Sequence, residues 1–313
     1  MKACVDIGGT KVAVSLAMDP NGSGSRDLRA RQAEPTAKTG TNDAVAVQVM
    51  RLIDAACAEA GVAPGSIDGV GVSSAGPFVM QGGCVELATP NICGGLAGPA
   101  RGLPNDWMTA VIEAPLRARF GRVRVENDAV AALEAERRWG ALQGLDHCAY
   151  VTWSTGVGVG LCVDGRALHG KNGNAGHAGH TFVADDDNRD ALCGCGNVGD
   201  VEGLSAGNAI ARRFGQPPEA LFKAAAAGDA HALERVDALC RVMGRMLYNL
   251  IATLDLQAIS LGGSVFWNNR ALLLPRLQAQ VAGKLPALTQ GVTLMPAGLG
   301  DKVGDYAALA LLD

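Results

Sequence analysis

The stretch Cys4-Val5-Asp6-Ile7-Gly8-Gly9-Thr10-Lys11-Val12-Ala13-Val14-Ser15-Leu16 decides how this chain is read. Two apolar strands, the second clearly alternating, meet at Gly8-Gly9-Thr10. Paired glycines at a strand junction let the backbone turn tightly and let a ligand approach it, because no Cβ intervenes. Amide N–H groups freed there can point at an anion, and the Thr10 hydroxyl adds a donor. Asp6 ends the first strand, where a carboxylate can hold a hydrated cation, and the combination suits a triphosphate with its Mg²⁺. An ordinary β-hairpin with a Gly-Gly turn would look the same from this stretch alone.

A second copy of the pattern separates the two readings. Cys148-Ala149-Tyr150-Val151-Thr152-Trp153 runs into Ser154-Thr155-Gly156-Val157-Gly158-Val159-Gly160 and on to a turn at Asp164-Gly165. A repeat with a period of about 150 residues predicts duplicated domains, each with one phosphate-binding hairpin.

Composition bounds the class. At 313 residues the chain is long enough for two domains or one large one. It is 48% hydrophobic and 19% charged, which describes a globular protein and excludes disorder. A net charge of −4 supplies no basic field for nucleic acid, and 4% aromatic content supplies no base-stacking surface. No apolar run reaches the ~18 residues of a membrane span, and the start does not read as a signal peptide. Nine scattered cysteines fit reduced thiols. The expectation is a cytoplasmic enzyme that binds neither nucleic acid nor membrane.

Along the chain, Asp19 to Gly24 is a turn cluster and a polar strand to about Pro35 follows. Thr41-Asn42-Asp43 can cap a helix running to Gly61. A buried strand at Ile67 to Ser73 ends in Ser74-Ala75-Gly76-Pro77, small residues that fit a ligand crevice at a strand's C-terminal end. Asn91 lies in a loop reaching from Ala88 to about Pro104, as a partner for a hydroxylated ligand or as an Asx-turn. Val123 to Asp128 is a strand entering a helix, so Asp128 is either a helix cap or a catalytic carboxylate. If the strand extends through it, Glu126 and Asp128 share a face. An exposed acidic loop is expected at Asp185-Asp186-Asp187. Asp229 can cap a helix reaching about Leu254, with an apolar seam from Leu233. Gly262-Gly263-Ser264 stands where a strand meets a helix, and these glycines could let a base or ribose lie against the backbone. A final Ala/Leu-rich helix from Gly304 is expected to return to the first domain.

The motifs exclude several chemistries. There is no Walker A loop, and the Gly-x-Gly-x-x-Gly at Gly194, Gly196 and Gly199 follows no apolar strand. Phosphoryl transfer to an alcohol needs a held triphosphate, Mg²⁺, a positioned hydroxyl and a carboxylate to take its proton. Asp128, with Asn127 and Asn91 orienting hydroxyls, can fill the last two roles. His180, Cys193 and Cys195 could bind zinc, with Asp200 or His177 as fourth ligand.

Taken together, these motifs resemble the ROK family (repressors, open reading frames, kinases) of the actin-like sugar kinase superfamily, over essentially the whole chain. The resemblance rests on Asp6-Ile7-Gly8-Gly9-Thr10-Lys11, Ser74-Ala75-Gly76-Pro77, Pro90-Asn91, Glu126-Asn127-Asp128, Ser154-Thr155-Gly156-Val157-Gly158, Gly179-His180 with the cysteine motif to Gly199, and Gly262-Gly263-Ser264. It implies an α/β fold of two actin-like (ribonuclease H-like) domains with an ATP and sugar cleft between them. The expected boundaries are 1–127 plus 298–313 for a small domain and 128–297 for a large one.

The resemblance also implies roles. Asp128 would be the base towards the sugar 6-hydroxyl, and Gly76, Asn91, Asn127, His180 and Glu202 would contact the sugar. Gly9, Thr10, Thr155 and Gly156 would face the ATP phosphates, joined by Asp6, Gly8 and Lys11, with Gly262 and Gly263 near the adenosine. A structural zinc would sit on His180, Cys193, Cys195 and Asp200, and a homodimer is the expected assembly.

Two departures sharpen the reading. The family's zinc motif has a third cysteine where this chain has Asp200, a carboxylate that can still ligate zinc. The family usually has a glutamate where this chain has His177. The His-x-Gly-His form is similar to bacterial N-acetylmannosamine kinases and replaces an acceptor-only carboxylate with a mixed donor and acceptor. The loop from Gly94 to Asp106 is longer than the family's. The expected reaction is therefore ATP-dependent 6-phosphorylation of an N-acylhexosamine, with glucose as the alternative substrate. A sugar-sensing repressor is the other class, disfavoured because no helix-turn-helix is seen ahead of Asp6.

Overall fold

Hydrophobic alternation in the opening stretch builds a hairpin in a computed structural model that describes residues 1–18, 27–97, 102–184 and 191–312. The turn cluster expected at Asp19–Gly24 and the acidic loop at Asp185–Asp187 lie outside the described residues, as does part of the loop between Gly94 and Asp106. Strand β1 (Lys2–Ile7) pairs antiparallel with β2 (Lys11–Ala17), setting Ile7 opposite Val12 and Val5 opposite Val14. Strand β3 (Leu28–Pro35) extends the sheet beyond β2.

Helix α1 (Ala44–Ala60) lays Val45, Val49, Leu52, Ile53 and Ala56 into the core, all but fully buried. Burying each larger aliphatic side chain contributes about 1.5–3 kcal/mol. Gly61 ends the helix in the left-handed region at φ 69°, where a glycine carries no Cβ penalty. Asp43 occupies the N-cap position without a side-chain cap bond; its carboxylate accepts from the Thr41 hydroxyl instead. Strand β4 (Gly69–Ser74) then runs parallel to β1.

A small antiparallel sheet follows, made of β5 (Phe78–Gln81), β6 (Cys84–Leu87) and, after the short α2 (Gly94–Ala97), β7 (Ala110–Val111). Helix α3 (Glu113–Phe120) leads into β8 (Val123–Asn127), which joins β4 in parallel, and α4 (Asp128–Trp139) starts at once. The strand ends at Asn127, so Glu126 and Asp128 do not share a strand face.

The second large sheet repeats the first. Strands β9 (Cys148–Trp153), β10 (Val157–Val163) and β11 (Arg166–Ala167) form an antiparallel meander. Helices α5 (Val201–Ser205), α6 (Gly207–Phe214), α7 (Pro218–Ala226) and α8 (Ala230–Leu254) follow. The Asp229 side chain caps α8 through the Ala232 N–H, and Val236, Cys240, Met243 and Leu247 of the expected seam are buried in the core. Strand β12 (Ala258–Gly262) then runs parallel to β9. After it come α9 (Ser264–Asn268), α10 (Arg270–Val281), α11 (Pro286–Thr289) and β13 (Thr293–Pro296), which is parallel to β12. The orders β3-β2-β1-β4-β8 and β11-β10-β9-β12-β13 match strand for strand, the duplication predicted from the paired hairpins.

Helix α12 (Val303–Ala310) closes the chain. A Cβ on Gly71 of β4 would lie 2.0 Å from the Ala308 carbonyl oxygen, so the absent side chain is what lets this helix approach the first sheet. The chain forms two units, one of Met1–Ala135, His169–Ala175 and the segment from Gly304, the other of Glu136–Leu168 and Gly176–Val303. These limits differ from 1–127 with 298–313. One physical reason is Glu136, whose carboxylate accepts the Gly298 and Leu299 N–H groups and holds that turn in the second unit.

Candidate active site

Parallel register in the first unit sets three of the predicted motifs side by side. Ile7 faces Ser74, and Ser74 faces Asn127, so Asp6–Gly9, Ser74–Gly76 and Asn127–Asp128 occupy adjacent strand ends of one sheet edge. Open α/β sheets place ligands at this edge. Asn91 joins them, because a Cβ on Gly9 would lie 2.5 Å from the Asn91 Cβ. The Thr89 hydroxyl, donating to the Ala75 carbonyl at 2.8 Å, ties the Asn91 loop to the Gly76 turn. Asn127 and Asp128 both turn a carboxamide or carboxylate Oδ1 to the Ala129 N–H, at 3.0 and 2.8 Å. Asn127 is buried and Asp128 exposed. Asp6 is solvent-exposed yet hemmed in by protein; that desolvation raises its carboxyl above the usual range, partly offset by Lys11 and Arg31.

The two hairpin turns use their amides alike. In the first, Gly8 N–H donates to the Lys11 carbonyl at 2.8 Å; in the second, Ser154 N–H donates to the Gly156 carbonyl at 2.9 Å. Among the described residues, no protein acceptor takes the N–H groups of Gly9 and Thr10 or those of Thr155 and Gly156. Each turn therefore offers two adjacent donors, the arrangement that binds anions. Gly262 and Gly263 stand at the end of β12, but the close approach their size permits is used by the protein. Cβ atoms there would fall 2.4 Å from the Tyr150 hydroxyl and 2.5 Å from the Trp153 carbonyl oxygen, respectively.

His177, His180, Cys193, Cys195, Asp200 and Glu202 come together in the second unit. The ligand atoms of His180, Cys193, Cys195 and Asp200 all lie within 4.8 Å of one another. Individual separations are 3.2 Å from His180 Nδ1 to Asp200 Oδ2, 3.5 Å from that nitrogen to Cys193 Sγ, and 3.4 Å from Cys195 Sγ to Asp200 Oδ2. Tetrahedral zinc with bonds of about 2.0–2.3 Å sets its ligands roughly 3.3–3.8 Å apart, so these four residues fit the ion. Asp200 is fully buried: Oδ2 faces the cluster, and Oδ1 accepts the Gly203 N–H at 2.7 Å, capping α5.

Electrostatics in the cluster follow from these contacts. Burial works to raise the Asp200 carboxyl, but hydrogen bonds from His180, Gly203 and Cys195 outweigh it and hold the group low. The bond to Asp200 raises His180, and burial pushes the Cys193 thiol up strongly. His177 stands outside the cluster, its ring stacked on His180 at 5.7 Å between centroids. Desolvation, then the neighbouring His180, lowers its pKa, so it is neutral near pH 7. Its Nε2 is buried and has no hydrogen-bond partner among the described residues.

Glu202 is already engaged on both oxygens. Oε2 accepts the Val157 N–H at 2.9 Å, and Oε1 stands 3.3 Å from Cys193 Sγ. Three further polar residues had no signal in the sequence. Fully buried Glu136 accepts from the Ser260 hydroxyl and the Ala141, Gly298 and Leu299 amides. Asn174 pairs with the backbone of Phe78 through both halves of its amide, at 2.7 and 2.8 Å. His169 meets Glu126 at 3.2 Å.

A duplicated α/β fold with a phosphate-type turn in each copy defines an actin-like protein. Residues 2–313 match the ROK family model, and the chain belongs to the ROK family. It is similar to the glucokinase of Aeropyrum pernix, 29% identical over 331 residues that cover 98% of this chain and 95% of the relative. It is 34% identical over 268 residues to the N-acetylmannosamine kinase of Salmonella paratyphi A, covering 83% and 82%. The solved ROK hexokinase of Thermus thermophilus matches with a TM-score of 0.74 at 31% identity, covering 99% of this chain and 97% of that one. Among the described residues, no helix is long and apolar enough to cross a membrane.

Proposed function

We propose that this chain transfers the γ-phosphoryl group of ATP to the 6-hydroxyl of an N-acylhexosamine, with N-acetylmannosamine as the first choice. The observation that carries the reaction class is the pair of hairpin turns, each with two adjacent N–H donors that no protein group among the described residues takes. Gly9, Thr10, Thr155 and Gly156 supply those donors to the phosphates, with the Thr10 hydroxyl and the Lys11 charge beside them. Gly8 gives the first turn its tight backbone, and Gly262 and Gly263 lie towards the adenosine. Mg²⁺, when bound, neutralises phosphate charge, and Asp6 would hold it through water.

Asp128 accepts the proton of the 6-hydroxyl as its oxygen bonds to phosphorus and the bond to the leaving ADP breaks. Gly76, Asn91, Asn127, His180 and Glu202 orient the sugar. A structural zinc on His180, Cys193, Cys195 and Asp200 would cross-link the segments that carry His180 and Glu202. Near-attack positioning of this kind supplies much of the rate in reactions that need little covalent help.

His177 supports the choice of sugar. A neutral imidazole whose buried Nε2 lacks a partner among the described residues suits the substituent at carbon 2 of an N-acyl sugar, which both donates and accepts. Glucose is the second reading, favoured by the wider coverage of the Aeropyrum glucokinase. Steady-state kinetics with glucose, mannose, N-acetylmannosamine and N-acetylglucosamine test the choice. The highest kcat/KM is expected for N-acetylmannosamine, with His177→Glu moving preference towards glucose. Strong activity on glucose alone contradicts it.

A further inference from the structure

Helix α5 joins the four-ligand cluster to the second hairpin turn. Its first turn is fixed by Asp200, whose Oδ1 caps the Gly203 N–H while Oδ2 faces His180 and Cys195. Two residues on, Glu202 reaches the turn itself: Oε2 accepts the Val157 N–H at 2.9 Å. A Cβ on Gly156 would lie 2.6 Å from that same oxygen, so the glycine leaves room for the carboxylate. The far end of α5 holds the other side of the turn. Ser205 accepts the Trp153 indole N–H at 2.8 Å, and Gly207 N–H donates to the Ser154 carbonyl at 2.8 Å.

A second connection runs through the histidine loop. Gly179, next to His180, packs on Val157 so closely that a Cβ there would lie 2.2 Å from the Val157 carbonyl oxygen. Val157 is thus gripped at its N–H by Glu202 and at its carbonyl by the residue beside His180. Both grips originate within two residues of a cluster ligand. Rigid packing of this kind passes a displacement on instead of absorbing it.

We propose that Glu202 is a positioning residue that couples the His180–Cys193–Cys195–Asp200 cluster to the Ser154–Val157 turn, so that zinc at the cluster tightens nucleotide binding. The proposal rests on the reading that Thr155 and Gly156 face nucleotide phosphates. A bound ion fixes Asp200 and His180, and through them α5 and Gly179. The Val157 N–H stays bonded to Glu202, and the two unbonded donors of the turn keep one geometry. Loss of the ion loosens both grips and spreads those donors over several orientations.

Hydrogen–deuterium exchange on the whole chain, zinc-loaded and chelator-stripped, tests the coupling without nucleotide or turnover. Stripping should speed exchange in peptides covering Trp153–Gly160 by about fivefold, the order given by losing one hydrogen bond, while Lys11–Ala17 stays unchanged. In Glu202→Ala, which leaves the Val157 N–H without its acceptor and whose zinc content is checked by metal analysis, exchange at Val157 should already be fast and respond less than about twofold to stripping. Equal exchange in loaded and stripped wild type overturns the coupling, as does a full metal response in Glu202→Ala. Should the variant fail to fold, the wild-type comparison decides alone. Calorimetry with a non-hydrolysable ATP analogue separates the two readings. A loaded chain that binds no analogue refutes the nucleotide reading, whereas equal affinity with and without zinc refutes only the coupling.

Discussion

Gly9 and Asn91 are packed so tightly that a Cβ on the glycine would fall 2.5 Å from the Asn91 Cβ. The first hairpin turn and the Asn91 loop therefore set each other's position. Gly9→Ala must displace one of them at a cost of about 1–3 kcal/mol, typical of an overpacked contact. We expect KM to rise for both ATP and sugar and kcat/KM to fall by about tenfold or more, as misplaced reacting groups do. Values within twofold of wild type would show that the contact does not position the site.

Asp200 serves the cluster and the helix at once, which gives Asp200→Cys opposite effects in two states. The thiolate is the better zinc ligand, but the N-cap bond to Gly203, worth about 1 kcal/mol, is lost. Thermal melting should show a lower Tm than wild type after chelation and a larger zinc-induced rise. An equal zinc-induced rise in both proteins would argue against Asp200 as a ligand.

His169 and Glu126 form a pH-sensitive contact. The hydrogen bond to Glu126 raises the His169 pKa above its unfolded value despite partial burial. Its stabilisation is therefore fully present below about pH 6.5 and fades as pH rises through the folded value. The His169 side chain is 51% exposed, so screening keeps the effect under about 1 kcal/mol. Glu126→Gln should lower Tm relative to wild type at about pH 6, and the difference should vanish by about pH 9. A difference that grows with pH would carry the wrong sign.

Glu136 takes four donors into one buried carboxylate. Glu136→Ala strands the Ser260 hydroxyl and the amides of Ala141, Gly298 and Leu299, a loss of roughly 3–5 kcal/mol. Urea unfolding should register it, with Glu136→Gln in between. A loss under about 1 kcal/mol would mean that water replaces the carboxylate.

The parts legible in the sequence are those with local signatures. The two Gly/Thr turns, the strand-to-helix junction at Asp128 and the capped helix after Asp229 each follow from a few neighbouring residues. The β5–β7 sheet carries no periodic signature: β5 and β6 have four residues each and β7 two, too few for periodicity. Even so, Gly82-Gly83 between Gln81 and Cys84 is a hairpin signal. Pairings over long sequence distances left no trace. Asn174 and Phe78 are 96 residues apart, and Glu136 and Leu299 are 163 apart. Glu202 could be named by resemblance, but its engagement with Val157 depends on packing that no spacing rule contains.

Phosphorus NMR of the reaction of ATP with N-acetylmannosamine, run on wild type and Asp128→Asn, tests the central claim most directly. Wild type should yield the 6-phosphate and ADP. The variant should still bind the sugar but turn over about 10²–10⁴-fold more slowly, the usual contribution of a positioned base. An unchanged rate in Asp128→Asn, or no phosphorylated hexose from wild type with any of the four sugars, would contradict it.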